Sequence, residues 1–95
     1  MAYMTVYDFK LPRGYLAEDG SLHRQGKMRL ATALDEIESV NDPRVLVNEA
    51  YLPVVLLSRV VIALENLPEV TPRVVETLFA SDLSYLEDLY LRING

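Results

Sequence analysis

Leu52-Pro53-Val54-Val55-Leu56-Leu57-Ser58-Arg59-Val60-Val61-Ile62-Ala63-Leu64 is the most apolar run in this chain of 95 residues, and the assignment of every neighbouring element depends on it. Asn48 precedes it as an N-cap type, and Glu49 falls in the first turn, where an acid suits the helix dipole. Pro53 is close enough to the start to be tolerated. These signals predict a helix over residues 49–64. Its apolar side chains point in almost every direction and leave little polar face for water. Such a helix belongs at the centre of a core or in half of a homo-oligomer interface. It is no membrane span, since thirteen residues interrupted by Ser58 and Arg59 fall short of the roughly 20 that a bilayer needs.

Downstream, Asn66-Leu67-Pro68-Glu69 reads as a stop and a linker. Thr71 then caps a new helix with Pro72 at its first position, where the missing N–H does no harm. Val75, Leu78, Phe79, Leu83, Leu86, Leu89, Tyr90 and Ile93 recur at steps of three and four, which predicts a helix over 72–94. Ser81-Asp82 marks the point where it would bend, because these residues cap helices better than they continue them. Upstream, Thr32 caps a short helix over 33–40 with Asp35 and Glu36 in its first turn, and Asn41-Asp42-Pro43 closes it.

Before residue 32 the period changes. Tyr3, Thr5, Tyr7, Phe9 and Leu11 alternate on one side of a strand that Pro12-Arg13-Gly14 ends. Glu18-Asp19-Gly20 is a turn, and Leu22 to Leu30 predicts one or two further strands, with Gly26 at a bulge or tight turn. The expectation is a single α+β domain over 1–95, with a β-hairpin or meander in 1–32 packed on three helices in 33–95.

Composition sets further bounds. A chain this short buries only a little over 60% of its unfolded surface, so nearly every long apolar side chain must find a partner. The absence of cysteine excludes a disulfide framework, a thiolate metal site and a cysteine nucleophile. Nine basic against fourteen acidic residues disfavour a nucleic-acid backbone as partner. The charge is uneven: five basic and three acidic residues in 1–32, four and eleven in 33–95. No basic, apolar and small-residue leader pattern opens the chain, so a cytoplasmic location is expected.

Chemical signatures are sparse. His23, the sole histidine, lies near Glu18 and Asp19, but no nucleophile-elbow pattern supplies a serine such as Ser21 or Ser58 to it, and a partly exposed surface histidine is the expectation. The acids Asp35, Glu36, Glu38, Glu87 and Asp88 point apart on their helices and are expected to be solvated. Gly14, Gly20 and Gly26 are spaced too widely for a phosphate-cradling loop. No cofactor, metal, membrane or small-molecule substrate is expected. Candidate contacts with a protein partner are Leu56 and Val60 on the apolar run, Tyr85 and Tyr90 on the last helix, and Arg24 and Arg29 in the β region. Packing of the tyrosines at the core edge and pairing of the arginines with acidic helices are the competing roles.

The order of short motifs carries a resemblance. Leu11-Pro12-Arg13-Gly14-Tyr15 is followed by Asp19-Gly20-Ser21-Leu22-His23-Arg24-Gln25-Gly26, Met28-Arg29-Leu30-Ala31-Thr32, Tyr51-Leu52-Pro53-Val54-Val55-Leu56-Leu57-Ser58-Arg59-Val60, Leu67-Pro68-Glu69-Val70-Thr71-Pro72 and Leu78-Phe79-Ala80-Ser81-Asp82-Leu83-Ser84-Tyr85-Leu86. Over nearly the whole chain this resembles the small tail assembly proteins encoded beside the tape-measure gene in tailed bacteriophages and phage-derived contractile injection systems. The resemblance implies a non-enzymatic tail assembly chaperone that binds the tape-measure protein, or another tail component, until tube subunits enclose it. A structural adaptor or cap retained in the finished particle is the alternative. The family has no motif-defined functional residues to carry over.

Overall fold

The computed structural model describes residues 5–95. Tyr3, counted above as part of the first strand, lies outside them. Two long strands, β1 (Val6–Leu16) and β2 (Leu22–Arg29), form an antiparallel hairpin closed by hydrogen bonds from Ala17 N to Ser21 O and from Gly20 N to Ala17 O. Helices α1 (Ala33–Val40) and α2 (Pro43–Val47) follow, then a 3-10 turn (Glu49–Tyr51) leading into α3 (Leu52–Val60). The chain returns to the sheet as β3 (Val61–Leu64) and ends with α4 (Pro72–Glu76) and α5 (Ala80–Asn94). The expected α+β class is what the molecule shows: one three-stranded antiparallel sheet, ordered β1-β2-β3, with helices packed on it.

The largest correction falls on the apolar run. It is a helix only as far as Val60, and Val61–Leu64 pairs with β2 as a strand. Three consecutive β-branched residues, Val60-Val61-Ile62, fit a pleated sheet better than a helix interior, where their χ1 freedom is lost. Val61 and Leu64 both lie in the core and Ile62 faces outward, a departure from simple alternation that goes with the register shift at Lys27/Met28. Glu65 leaves the strand with φ 50°, and its N–H donates to Gln25 O at 2.8 Å.

A second correction concerns Pro12-Arg13-Gly14, which does not end β1. The register runs Lys10↔Gln25 and resumes at Tyr15↔His23, so residues 11–14 bulge out opposite Arg24 alone. Side chains from elsewhere in the fold satisfy four backbone groups of this bulge. Arg24 donates from Nε to Leu11 O (2.9 Å) and from Nη2 to Pro12 O (3.1 Å). The Arg13 and Gly14 N–H groups donate to Asp82 Oδ1 (2.8 Å) and Oδ2 (2.9 Å). Gly14 holds φ +108°, and a Cβ there would sit 2.7 Å from the Arg24 Cγ stem, so glycine is required twice over.

Among the helices, α1 keeps its expected bounds and cap: the Thr32 side chain accepts from Asp35 N and the Asp35 side chain from Thr32 N. The Asn41-Asp42-Pro43 stop is also a start, since the Asp42 side chain accepts from Arg44 N and caps α2 with Pro43 at its first position. The last helix divides at Thr77–Phe79, three residues earlier than the expected bend, because Ser81 and Asp82 occupy the first turn of α5. The core joins Phe9, Leu11 and Met28 of the hairpin to Leu57, Val60, Leu64, Val75 and Leu86. With α3 against α1, α4 and α5, and α5 against β1, the helices leave one side of α1, α3 and α5 open to solvent.

Candidate functional site

Helix α1 is built inside out. At 100° per residue, Leu34, Ile37 and Val40 share one side, and Asp35 and Ser39 lie on the opposite side. An amphipathic surface helix normally turns its apolar stripe to the core. Here Asp35 is buried, 3% exposed, while Ile37 is 56% exposed. The acids of this helix are therefore not uniformly solvated, as the sequence reading expects. Asp35 Oδ2 and Oδ1 accept from Arg29 Nη1 (2.6 Å) and Nη2 (2.9 Å), and Oδ1 also accepts from Arg59 Nε (3.1 Å). Arg59 Nη2 continues to Glu38 Oε1 at 2.6 Å. The Arg29 guanidinium, with help from the Thr32 N–H and Arg59, holds the Asp35 carboxyl well below the usual carboxylate range.

This ion cluster pins the polar side of α1 to β2 and α3, and so fixes the apolar stripe outward. A shallow trough extends from it along the surface. Val40, Leu46, Val47 and Leu52 line its first part, with Glu49 at the edge. Leu52 is shared with the next part, where Pro53, Leu56 and Leu57 of α3 face Glu87, Tyr90 and Leu91 of α5. Leu91 in turn borders a third depression with Tyr85, Asp88 and Arg92. Val47 at 89% and Leu91 at 67% exposure are extreme for a chain that has so little core to spend.

The structure sorts the six candidate partner contacts. Leu56 and Tyr90 come together in the middle of the trough, and the Tyr90 hydroxyl donates to Glu36 Oε2 at 2.7 Å. Burial, then that carboxylate, push the Tyr90 phenol up. Tyr85 borders the third depression while its ring meets Phe9 edge-on at 6.4 Å, so it serves core and surface together. Val60 is a correction: it is fully buried between the helices and the sheet and has no surface to give. Arg24 fills the β1 bulge and Arg29 holds Asp35, so both guanidinium groups are engaged within the fold. The exposed stripe on α1 and the α2 residues Leu46 and Val47 are absent from the sequence-based set. Their signal was the spacing of Leu34, Ile37 and Val40, which shows a stripe and not which way it faces.

The β region holds a second constellation. His23 is buried, contrary to expectation, with Nε2 2.9 Å from Ser21 Oγ and Nδ1 3.5 Å from Glu65 Oε1. The order acid, imidazole, hydroxyl is that of a nucleophilic triad. The surrounding bonds serve another purpose: Ser21 Oγ donates to Asp19 Oδ1 at 2.6 Å, and Glu65 Oε2 accepts from Arg24 N (2.6 Å) and Gln25 N (3.1 Å). Those backbone bonds hold the Glu65 carboxyl below its ordinary range, as the Ser21 bonds do for Asp19. None of the three depressions is lined by Ser21 or His23. The constellation fastens the β1–β2 turn to the end of β3.

Among the described residues no cluster of three His, Cys, Asp or Glu could hold a metal ion, and no helix is long and apolar enough to cross a membrane. Comparison with protein-family models, with curated proteins and with solved structures finds no match to this chain.

Proposed function

We propose that this protein is a non-enzymatic tail assembly chaperone, which binds the tape-measure protein of a phage tail or contractile injection system in the cytoplasm and releases it as the tube forms. The observation that carries this reading is the outward stripe of α1 together with the trough it adjoins. An apolar surface held open by a buried ion cluster is a place for another apolar surface. A tape-measure chain before enclosure is a long helical protein with uncovered apolar stripes, and an amphipathic helix seats in such a trough by its i, i+3, i+4 and i+7 side chains. The acidic balance of the chain favours solubility of the complex. The motif order from Leu11-Pro12-Arg13-Gly14-Tyr15 to Leu78-Phe79-Ala80-Ser81-Asp82 supplies the tail-assembly context.

The test is co-expression with the longest helix-rich protein of the same gene neighbourhood, followed by size exclusion with light scattering. A stable complex, with the long protein insoluble when made alone, is the expected result. No complex and no gain in solubility overturns it. Purified particles separate the chaperone from a retained adaptor or cap: the chaperone is absent from them, and an adaptor is present in fixed stoichiometry.

A further inference from the structure

We propose, building on the chaperone reading, that the occupant of the trough is an amphipathic helix whose apolar stripe is flanked by lysine or arginine, lying from the Val47 end across Leu52 to Leu91. Continuity carries the first half of this inference. The first two depressions share Leu52, and Leu91 forms the ridge of α5 between the second and a neighbouring face with Tyr85, Asp88 and Arg92. The first two form one surface, open to solvent, that runs from Val47 across Leu52 to Leu91. A helix of about 18 residues is some 27 Å long, within the 36 Å extent of the molecule.

Charge carries the second half. Glu49, Glu87 and Asp88 border the trough and have no ion-pair partner among the described residues. Glu36 stands beside Tyr90 as a fourth carboxylate. Against these the border offers one guanidinium, Arg92. Of the other cations of the helical side, Arg59 is engaged with Asp35 and Glu38 and Arg44 with Asp42, and Arg73 on α4 does not line the trough. A second copy of this chain is a poor occupant, because a two-fold contact would bring two patches with the same acidic excess together. A helix with basic flanks meets them with opposite charge, which adds attraction to the apolar contact.

The chain has no tryptophan, so a peptide carrying one tryptophan reports binding through its own fluorescence. The probes are two synthetic helices of about 18 residues with the same leucine stripe, one flanked by lysine and the other by glutamate. The lysine peptide is expected to bind at least about tenfold tighter at low salt, with the difference shrinking in 0.5 M NaCl, a concentration at which the Debye length is roughly 4 Å. Leu91→Glu separates the trough from bulk attraction: it adds a negative charge, so attraction alone would strengthen lysine-peptide binding, whereas docking at Leu91 predicts a loss of about tenfold or more. The double variant Glu49→Lys, Glu87→Lys is expected to remove or reverse the preference.

Equal affinity for the two peptides, no binding of either, tighter binding by Leu91→Glu, or a preference unchanged by the double variant overturns the inference. So does a dimer in light scattering that Leu91→Glu converts to monomer. If the peptides do not discriminate while co-expression still rescues the long partner, this inference falls and the chaperone reading stands. If the lysine peptide binds as expected and co-expression fails, the reverse holds.

Discussion

The Phe9 ring occupies the space where a side chain on Gly26 would be. The two residues are paired across β1 and β2, and a Cβ on Gly26 would meet Phe9 Cε1 at 2.7 Å and Ala63 O at 2.6 Å. One of these neighbours is backbone of β3, which cannot swing aside as a side-chain tip can. Gly26 is thus the position at which β2 admits both an aromatic ring and a third strand. Gly26→Ala is expected to destabilise the fold by about 2 kcal/mol through overpacking. Urea denaturation checks this, and a variant as stable as the parent would show that β3 does not pack as described.

The Asp35 cluster sets a pH dependence. Its carboxyl, held by Arg29 and Arg59, has a lower pKa folded than the ordinary 3.8 it regains on unfolding. Proton binding therefore favours the unfolded chain, and the stabilisation is fully present above about pH 5 and declines as the pH falls through 4 and below. Asp35→Asn leaves two guanidinium groups short of a partner and should cost about 3 kcal/mol at neutral pH. It should also make the fall in stability between about pH 5 and 2.5 shallower than in the parent. Denaturation curves across that range test both statements, and an equal slope in the two proteins would remove the ion cluster as its source.

Ile37 and Val60 should respond in opposite ways. Ile37→Lys is expected to change stability by no more than about 0.5 kcal/mol, since the side chain faces solvent on α1. The same variant should weaken rescue of a co-expressed helical partner. Val60→Ala opens a cavity beneath α3 and should cost about 2 kcal/mol with little direct effect on binding. Thermal unfolding beside the co-expression assay distinguishes the two. A large loss of stability in Ile37→Lys would mean that the α1 stripe is packed against this chain.

Asp82→Ala removes the acceptor of two N–H groups in the β1 bulge, that of Gly14 buried and that of Arg13 partly buried. Each such group left bare costs about 1–3 kcal/mol, so a loss of about 3 kcal/mol is expected. Hydrogen exchange at Arg13 and Gly14 should accelerate with it. Unchanged protection there would mean that the bulge is satisfied by other means.

What the sequence makes readable is local. Thr32 and Thr71-Pro72 announce α1 and α4 because a cap and its helix lie within four residues of each other. The hairpin is readable for the same reason, through its turn at Glu18-Asp19-Gly20. Val60-Val61-Ile62 suits a buried helix as well as a buried strand, and the choice is made by β2, more than thirty residues earlier in the chain. Pro12-Arg13-Gly14 reads as a strand end because its hydrogen-bond acceptors, supplied by Asp82, are equally remote. The trough was half visible: Leu56 and Tyr90 stand out as apolar and aromatic residues on helices. The α1 stripe did not, because acids at Asp35 and Glu36 suggest an outward polar side unless Arg29 and Arg59 are known to lie beneath.

The bond between Gly14 and Asp82 spans 68 positions of the chain. At about 5–20 residues per second, a ribosome adds Asp82 roughly 3 to 14 s after Gly14. Through that interval the β1 bulge has two uncapped donors, and Phe9 and Leu11 have no helix α5 above them. The depression between α3 and α5 waits in the same way, because Leu56 gains Leu91 as its opposite wall only after 35 further residues have been added. Until α5 packs, that surface has a single wall.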